Sequence, residues 1–172
     1  MTSKVKKQIW AVVPVIGKTW PVMDAYGETK HAPFPTNCVM CKGCELACAV
    51  FREGKNNPRL ARIRIAINEL EWIEGTSDKI VEPIVCRQCP GVSPCMAACP
   101  IDNAIQRDEK TGAVIIYDEV CIKCRKCVKA CPYGAIWYNE REEKILKCDL
   151  CGGEPKCVEW CPVKCLRFER IV

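Results

Sequence analysis

The sequence predicts an α+β chain of short helices and hairpins, arranged as tandem similar modules with a β-strand insertion. Three observations carry that prediction. Sixteen of the 17 cysteines in the 172 residues fall into four groups of four. Around the last three groups lie short apolar runs broken by turn-forming residues, the pattern of hairpin strands. Between the first two groups, residues 60–67 alternate apolar and basic side chains, the period of a strand with one buried face.

The groups set the chemistry. The first is Cys38-x2-Cys41-x2-Cys44-x3-Cys48, and the second is Cys86-x2-Cys89-x5-Cys95-x3-Cys99 followed by Pro100. The third is Cys121-x2-Cys124-x2-Cys127-x3-Cys131 followed by Pro132, and the fourth is Cys148-x2-Cys151-x5-Cys157-x3-Cys161 followed by Pro162. Cubane iron–sulfur clusters take four thiolates, and the third group is the bacterial ferredoxin run as it stands. Four groups imply four [4Fe–4S] clusters with these sixteen cysteines as iron ligands, and hence ferredoxin-like modules of two clusters each. A C-x2-C loop lets two thiolates converge while the backbone turns around the metal centre. The third cysteine takes another corner of the same cube. The fourth lies one turn along a short helix and points away, so in two-cluster ferredoxins it serves the other cluster. Proline after it stops the helix. The first group carries Ala49 in that place. The five-residue gaps of the second and fourth groups hold Gly-Val-Ser-Pro and Gly-Gly-Glu-Pro, turn formers that loop out without moving the ligands.

Taken in order, residues 1–35 form an N-terminal arm with Trp10, Trp20, four prolines and the single histidine, His31. A strand is expected at Ile9 to Val13, and the arm packs on its own body or on a partner. Residues 36–60 with 145–172 are expected to form one ferredoxin-like module from the first and fourth groups. Residues 61–80 form the insertion: Ile63, Ile65 and Ile67 share one face, with Arg62 and Arg64 opposite, leading to a hairpin with Glu71, Trp72 and Ile73 near Gly75. Residues 81–144 form the second module. In it, residues 104–106 and 113–116 flank a turn at 108–112 closed by Gly112, and residues 135–138 make a further strand. A second hairpin turns at 140–143 and leads through 144–147 into the fourth group. Leu166, Arg167 and Phe168 form a last short strand. Cys165 reads as a small buried filler.

Competing uses of the cysteines fit less well. Packed C-x2-C-x2-C triplets are a poor disulfide framework. Structural zinc sites pair two C-x2-C units across a longer gap, often with histidine, and His31 lies outside every motif. A zinc-stabilised binding module is the remote alternative. The formal net charge of +5 counts cysteines as neutral. Sixteen thiolates and four cores of about +2 each bring the loaded chain to about −3, which does not read as nucleic-acid binding. Lys42, Arg87, Lys123, Arg125, Lys126 and Lys129 stand in or beside the motifs, where positive charge offsets an anionic cluster. No stretch reaches the roughly 20 apolar residues of a membrane span, and no secretory or twin-arginine leader is evident, so the expected location is cytoplasmic.

The segments Cys38-Val-Met-Cys-Lys-Gly-Cys-Glu-Leu-Ala-Cys48, Cys86-Arg-Gln-Cys89, Cys131-Pro-Tyr-Gly-Ala-Ile136 and Lys147-Cys-Asp-Leu-Cys151 resemble the four-cluster electron-transfer subunits of molybdopterin and tungstopterin oxidoreductases. The resemblance spans residues 36–170. It implies that the first motif shares clusters with the fourth and the second with the third. The implied ligand sets are Cys38, Cys41, Cys44 with Cys161; Cys148, Cys151, Cys157 with Cys48; Cys86, Cys89, Cys95 with Cys131; and Cys121, Cys124, Cys127 with Cys99. Spacing alone also permits the third motif to pair with the fourth. The compact fourth motif and the Arg-Leu-Ala-Arg-Ile-Arg-Ile segment look most like small subunits beside tungsten-dependent aldehyde oxidoreductases.

The expectation is a non-catalytic subunit carrying single electrons between a large tungsten- or molybdenum-pterin catalytic subunit and an acceptor, such as a flavin/NAD subunit or a ferredoxin. The chain has no Gly-rich dinucleotide fingerprint, and one histidine leaves no nucleophile–His–acid set. Electron transfer for a formate dehydrogenase or hydrogenase, and a free polyferredoxin carrier, are the alternatives. Self-association of copies is compatible with all of these.

Overall fold

The computed structural model describes residues 10–14, 19–23, 29–33, 38–67 and 81–170. The elements are few and short. Strands β1 (Trp10–Pro14), β2 (Thr19–Met23) and β3 (Thr29–Pro33) precede helix α1 (Gly43–Glu53). A 3₁₀ turn at Pro58–Leu60 leads into β4 (Ile63–Ile67), followed by β5 (Val81–Val85) and helix α2 (Pro94–Ala97). Then come β6 (Ile105–Arg107), β7 (Val114–Ile116), helix α3 (Lys126–Ala130), β8 (Ile136–Asn139) and β9 (Lys144–Lys147). Helix α4 (Lys156–Glu159) and β10 (Leu166–Arg170) complete the described chain. The strands form five antiparallel pairs, β1–β10, β2–β3, β4–β5, β6–β7 and β8–β9. This is the α+β frame of small helices and small sheets that the cysteine spacing leads one to expect.

The expected strands that fall within the described residues lie close to their places, with β4 starting at Ile63 rather than Leu60. The β6–β7 turn is tied by Asp108, whose Oδ2 accepts from the Thr111 amide at 2.7 Å and its hydroxyl at 2.6 Å, and Gly112 takes φ +73°. The arm's first strand packs on its own body: β1 pairs with β10, Val12 opposite Phe168. The expected hairpin around Glu71, Trp72, Ile73 and Gly75 falls outside the described residues.

Helix length follows proline placement. After Cys99, Cys131 and Cys161 a proline blocks continuation, and α2, α3 and α4 have 4, 5 and 4 residues. After Cys48 stands Ala49, and α1 runs on to 11 residues, ending at Gly54 with φ +64° and its N–H on the Val50 carbonyl. Ala carries the best helix propensity, whereas proline lacks the N–H and collides with the preceding turn. The extra turns place Arg52 2.7 Å from Asp149 in the fourth motif and Glu53 2.5 Å from Arg62.

One expectation about β4 is corrected. Arg62 does not lie on an outward face. It is buried at 5% exposure because Glu53 neutralises it there. Ile63 is 1% exposed, but Ile67 at the strand's end is 39% exposed. Arg64 does point outward, lying over the Trp137 ring at 4.1 Å.

The core forms around the cysteines. One cluster joins Val12, Ala61, Ile63, Val85, Leu150 and Leu166 with Cys44, Cys48, Cys86, Cys148, Cys157, Cys161 and Cys165. A second joins Ile105, Val114, Ile136 and Ile145 with Cys95 and Cys127.

Candidate metal centres

The second and third motifs are brought together as two cavities of four thiols each. Cys86, Cys89, Cys95 and Cys131 line one, with Gln88, Ser93 and Lys147 also in its wall. Cys99, Cys121, Cys124 and Cys127 line the other, with Ile101, Ile105, Ile122 and Ile145 around them. Each spans about 310 Å³ of space between atoms, open solvent included. In both cavities the fourth thiol comes from the other motif, the crossed arrangement of two-cluster ferredoxins.

The first and fourth motifs meet in the larger core cluster. Burial pushes the Cys44 thiol up to about 12, with Glu45, Cys38 and Cys161 as negative neighbours that push the same way. Cys157 is pushed up by burial and then by Cys148, Cys48 and Cys151. The neighbours of these two thiols are thus drawn from both motifs in the same crossed fashion. Cys89 is raised by burial and by Cys86 and Cys95, with Cys131 behind them. For Cys127 burial raises the thiol to about 11, helped by Cys121, Cys95 and Cys124. An apolar interior disfavours the thiolates of Cys44, Cys89, Cys127 and Cys157, and a cation in the cavity offsets that penalty.

The backbone turns inward at every motif. The residue before the second cysteine has positive φ in all four: Met40 at 57°, Gln88 at 48°, Lys123 at 58° and Leu150 at 60°. In the two tighter motifs Lys42 at 55° and Arg125 at 62° repeat it. Left-handed backbone costs a residue with a Cβ about 1–2 kcal/mol. Left-handed residues set among right-handed ones turn successive amides toward one concavity, the geometry that receives an anion, whereas in the fourth motif the left-handed run continues through Cys151 and Gly152. Amides accordingly face sulfur: Gln88 N donates to Cys86 Sγ and Leu150 N to Cys148 Sγ, both at 3.4 Å. Ala135 N donates to Cys131 Sγ at 3.4 Å and Cys165 N to Cys161 Sγ at 3.3 Å. Cys48, inside the long α1, receives its amide from Arg62 at 3.2 Å.

Several supporting residues carry no motif signature. Arg107 donates to the carbonyls of Cys89 at 2.5 Å and Gly91 at 3.1 Å, holding the second motif's loop. Glu45 is buried, its Oε1 accepting from the Ile65 amide at 2.7 Å. Ser93 Oγ lies 3.3 Å from Cys95 Sγ. Gln88 and Lys147 are buried between the second and fourth motifs. A sequence signal for Lys147 exists: the same place before the second and third motifs is held by Val85 and Val120. Of the motif cations read from sequence, Lys42, Lys123, Arg125, Lys126 and Lys129 are exposed and Arg87 is half-buried. Cys165 is buried as expected, its Sγ 3.5 Å from that of Cys161. Among the described residues, no group of three or more His, Cys, Asp or Glu converges closely enough for a single metal ion.

Thiol-walled cavities with inward-facing amides, on a frame of short helices and hairpins, define a ferredoxin-like iron–sulfur protein. The chain belongs to the 4Fe-4S dicluster domain family, whose model matches residues 78–171. It is 43% identical over 127 residues to the polyferredoxin-like subunit of an aliphatic sulfonate oxidoreductase from Pyrococcus furiosus, covering 74% of this chain and 68% of that one. It is 35% identical over 144 residues to a subunit of the anaerobic dimethyl sulfoxide reductase of Escherichia coli, covering 77% of this chain and 69% of that subunit. The solved active-site complex BamBC of benzoyl coenzyme A reductase aligns at TM-score 0.47 and 22% identity, over 97% of this chain and 82% of that one, a likeness too loose to add to the assignment. The protein is therefore homologous to iron–sulfur electron-transfer subunits of oxidoreductases. No helix among the described residues is long and apolar enough to cross a membrane.

Proposed function

We propose that this chain is the non-catalytic wire of an oxidoreductase complex, holding four [4Fe–4S] clusters in the sets Cys38/Cys41/Cys44/Cys161, Cys148/Cys151/Cys157/Cys48, Cys86/Cys89/Cys95/Cys131 and Cys121/Cys124/Cys127/Cys99. The observation that carries the reading is the pair of four-thiol cavities, each with three thiols from one motif and one from the other. When bound, each cluster supplies a one-electron carrier. The protein's part is to hold thiolates, exclude water and aim amides at sulfur.

The four sets also follow one another. Cys44 of the first neighbours Cys157 of the second, Cys148 of the second neighbours Cys86 of the third, and Cys95 of the third neighbours Cys127 of the fourth. The exposed members are Cys41 and Cys124, one in each outer set. Beside them stand apolar side chains open to solvent, Val39 at 57% and Ile122 at 60%. Water-exposed apolar groups beside the outer thiols suit docking of a partner at each end. On the sequence resemblance, that partner is a large tungsten- or molybdenum-pterin subunit of aldehyde oxidoreductase type, with a flavin/NAD subunit or a ferredoxin at the other end.

Metal analysis of protein purified without oxygen tests this directly. The expected result is about 16 iron per chain, four for each cluster, with tungsten or molybdenum in a co-purifying large subunit. About 8 iron would reduce the wire to one module, and zinc in place of iron would overturn it. A Cys124→Ser chain should lose physiological electron transfer while the partner still reduces an added dye.

A further inference from the structure

Among the described residues, Lys147 is a buried ammonium with no carboxylate partner. Lys147 is 5% exposed, and none of the ion pairs among the described residues includes it. Its Nζ donates to the carbonyl oxygen of Val114, to that of Cys148 at 3.1 Å and to Gln88 Oε1 at 3.5 Å. All three oxygens are neutral. Gln88, fully buried, is fixed in turn: its Oε1 accepts from the Val114 amide at 2.9 Å and its Nε2 donates to the Cys148 carbonyl at 3.0 Å. A buried cation with only neutral partners is costly unless an anion lies close. Lys147 lines the cavity of Cys86, Cys89, Cys95 and Cys131, and the next residue is Cys148 of the neighbouring set.

We propose that Lys147, held by Gln88, is a fixed buried counter-charge shared by the two inner cluster sites, and that it raises their reduction potentials above those of the outer pair. This rests on the cluster reading above. Each one-electron reduction adds one negative charge to a thiolate-bound site. A positive charge in the low-dielectric interior therefore favours the reduced state more than the oxidised one. The five exposed motif cations act through water and salt, which weaken them. Lys147 is a positioning residue in this role, acting through charge and not through a bond to iron.

The test compares Lys147→Met, Lys147→Arg and Gln88→Glu, the last placing a carboxylate against the ammonium. Iron per chain and redox titration followed by electron paramagnetic resonance are the readouts. With iron fully loaded, Lys147→Met should lower the reduced-to-oxidised ratio of the inner pair about tenfold at fixed potential, which is about 59 mV for one electron. The outer pair should stay put, Lys147→Arg should keep the native potentials, and Gln88→Glu should shift the inner pair in the same direction as Lys147→Met. Unchanged inner potentials in loaded Lys147→Met, or an equal shift of all four, would overturn the proposal. If Lys147→Met fails to load iron, Gln88→Glu decides by the same criterion. If neither loads, native potentials in loaded Lys147→Arg support the charge role, and a failure to load or altered inner potentials overturns it. Absence of iron from the unsubstituted protein is a different failure, that of the cluster reading itself.

Discussion

The side-chain amide of Gln88 meets the backbone carbonyl of Cys148 at 3.0 Å across 60 residues of chain. Gln88 also accepts from the Val114 amide through Oε1, and its own amide faces Cys86 Sγ. One side chain thus joins the second motif, the fourth motif and strand β7, from a residue whose own backbone is left-handed at φ +48°. Removing the side chain takes the acceptor from the Val114 amide and one of two donors from the Cys148 carbonyl.

Gln88→Leu should therefore cost about 2 kcal/mol, the penalty of leaving the buried Val114 amide unpaired. In guanidinium the cluster absorbance of the variant should bleach up to about 30-fold faster. An unchanged bleaching rate would show that the tie contributes no stability.

Ala49→Pro should break α1 where the other motifs stop. Ala49 is fully buried within the helix, so the variant loses a backbone hydrogen bond and gains a clash, at about 3 kcal/mol. It should also separate Arg52 from Asp149 and Glu53 from Arg62. Thermal unfolding and helical circular dichroism should both fall, while Pro132→Ala, at an exposed site, stays near the parent.

Glu53 joins Arg62 at 2.5 Å and Lys144 at 3.2 Å. Burial alone would push its carboxyl up, but hydrogen bonds and charge from Arg62 and Lys144 win and hold it below the usual range. Its contribution is therefore present above the unfolded pKa of about 4.3 and lost as pH falls through the lower folded value. Glu53→Gln leaves Arg62 buried without its partner and should cost about 3 kcal/mol at pH 7. The gap between variant and parent in denaturant midpoint should shrink as pH is lowered past 4. A gap independent of pH would exclude the ion pair as its source.

Lys123 is exposed with φ +58°, so its substitution isolates backbone strain from packing. Lys123→Gly relieves the left-handed penalty and should keep or raise stability by up to about 1 kcal/mol. Lys123→Val, β-branched in the same backbone, should lose about 1–2 kcal/mol. Equal midpoints for the two would mean that the turn is not held in this conformation.

The cysteine spacing by itself determined the cofactor class, the short helices and the order of hairpins. A thiolate tetrad around a cubane leaves few ways to lay out a chain, and proline and glycine punctuate it visibly. The longer α1 goes with Ala49 standing where the other motifs carry proline, a difference the sequence displays but whose consequence only the fold revealed. Tertiary structure decided what spacing cannot express. Spacing left the third motif free to pair with the second or the fourth; in the folded chain Cys131 stands with Cys86, Cys89 and Cys95, and Cys99 with Cys121, Cys124 and Cys127. Alternation placed Arg62 in water, and the fold buried it because a longer helix delivered Glu53 to it. The charges flagged beside the motifs turned out largely exposed, whereas Lys147 was drawn inside by oxygens of Gln88, Val114 and Cys148. Ligand type is a local property of a residue, while burial and pairing depend on which distant segment folds against it.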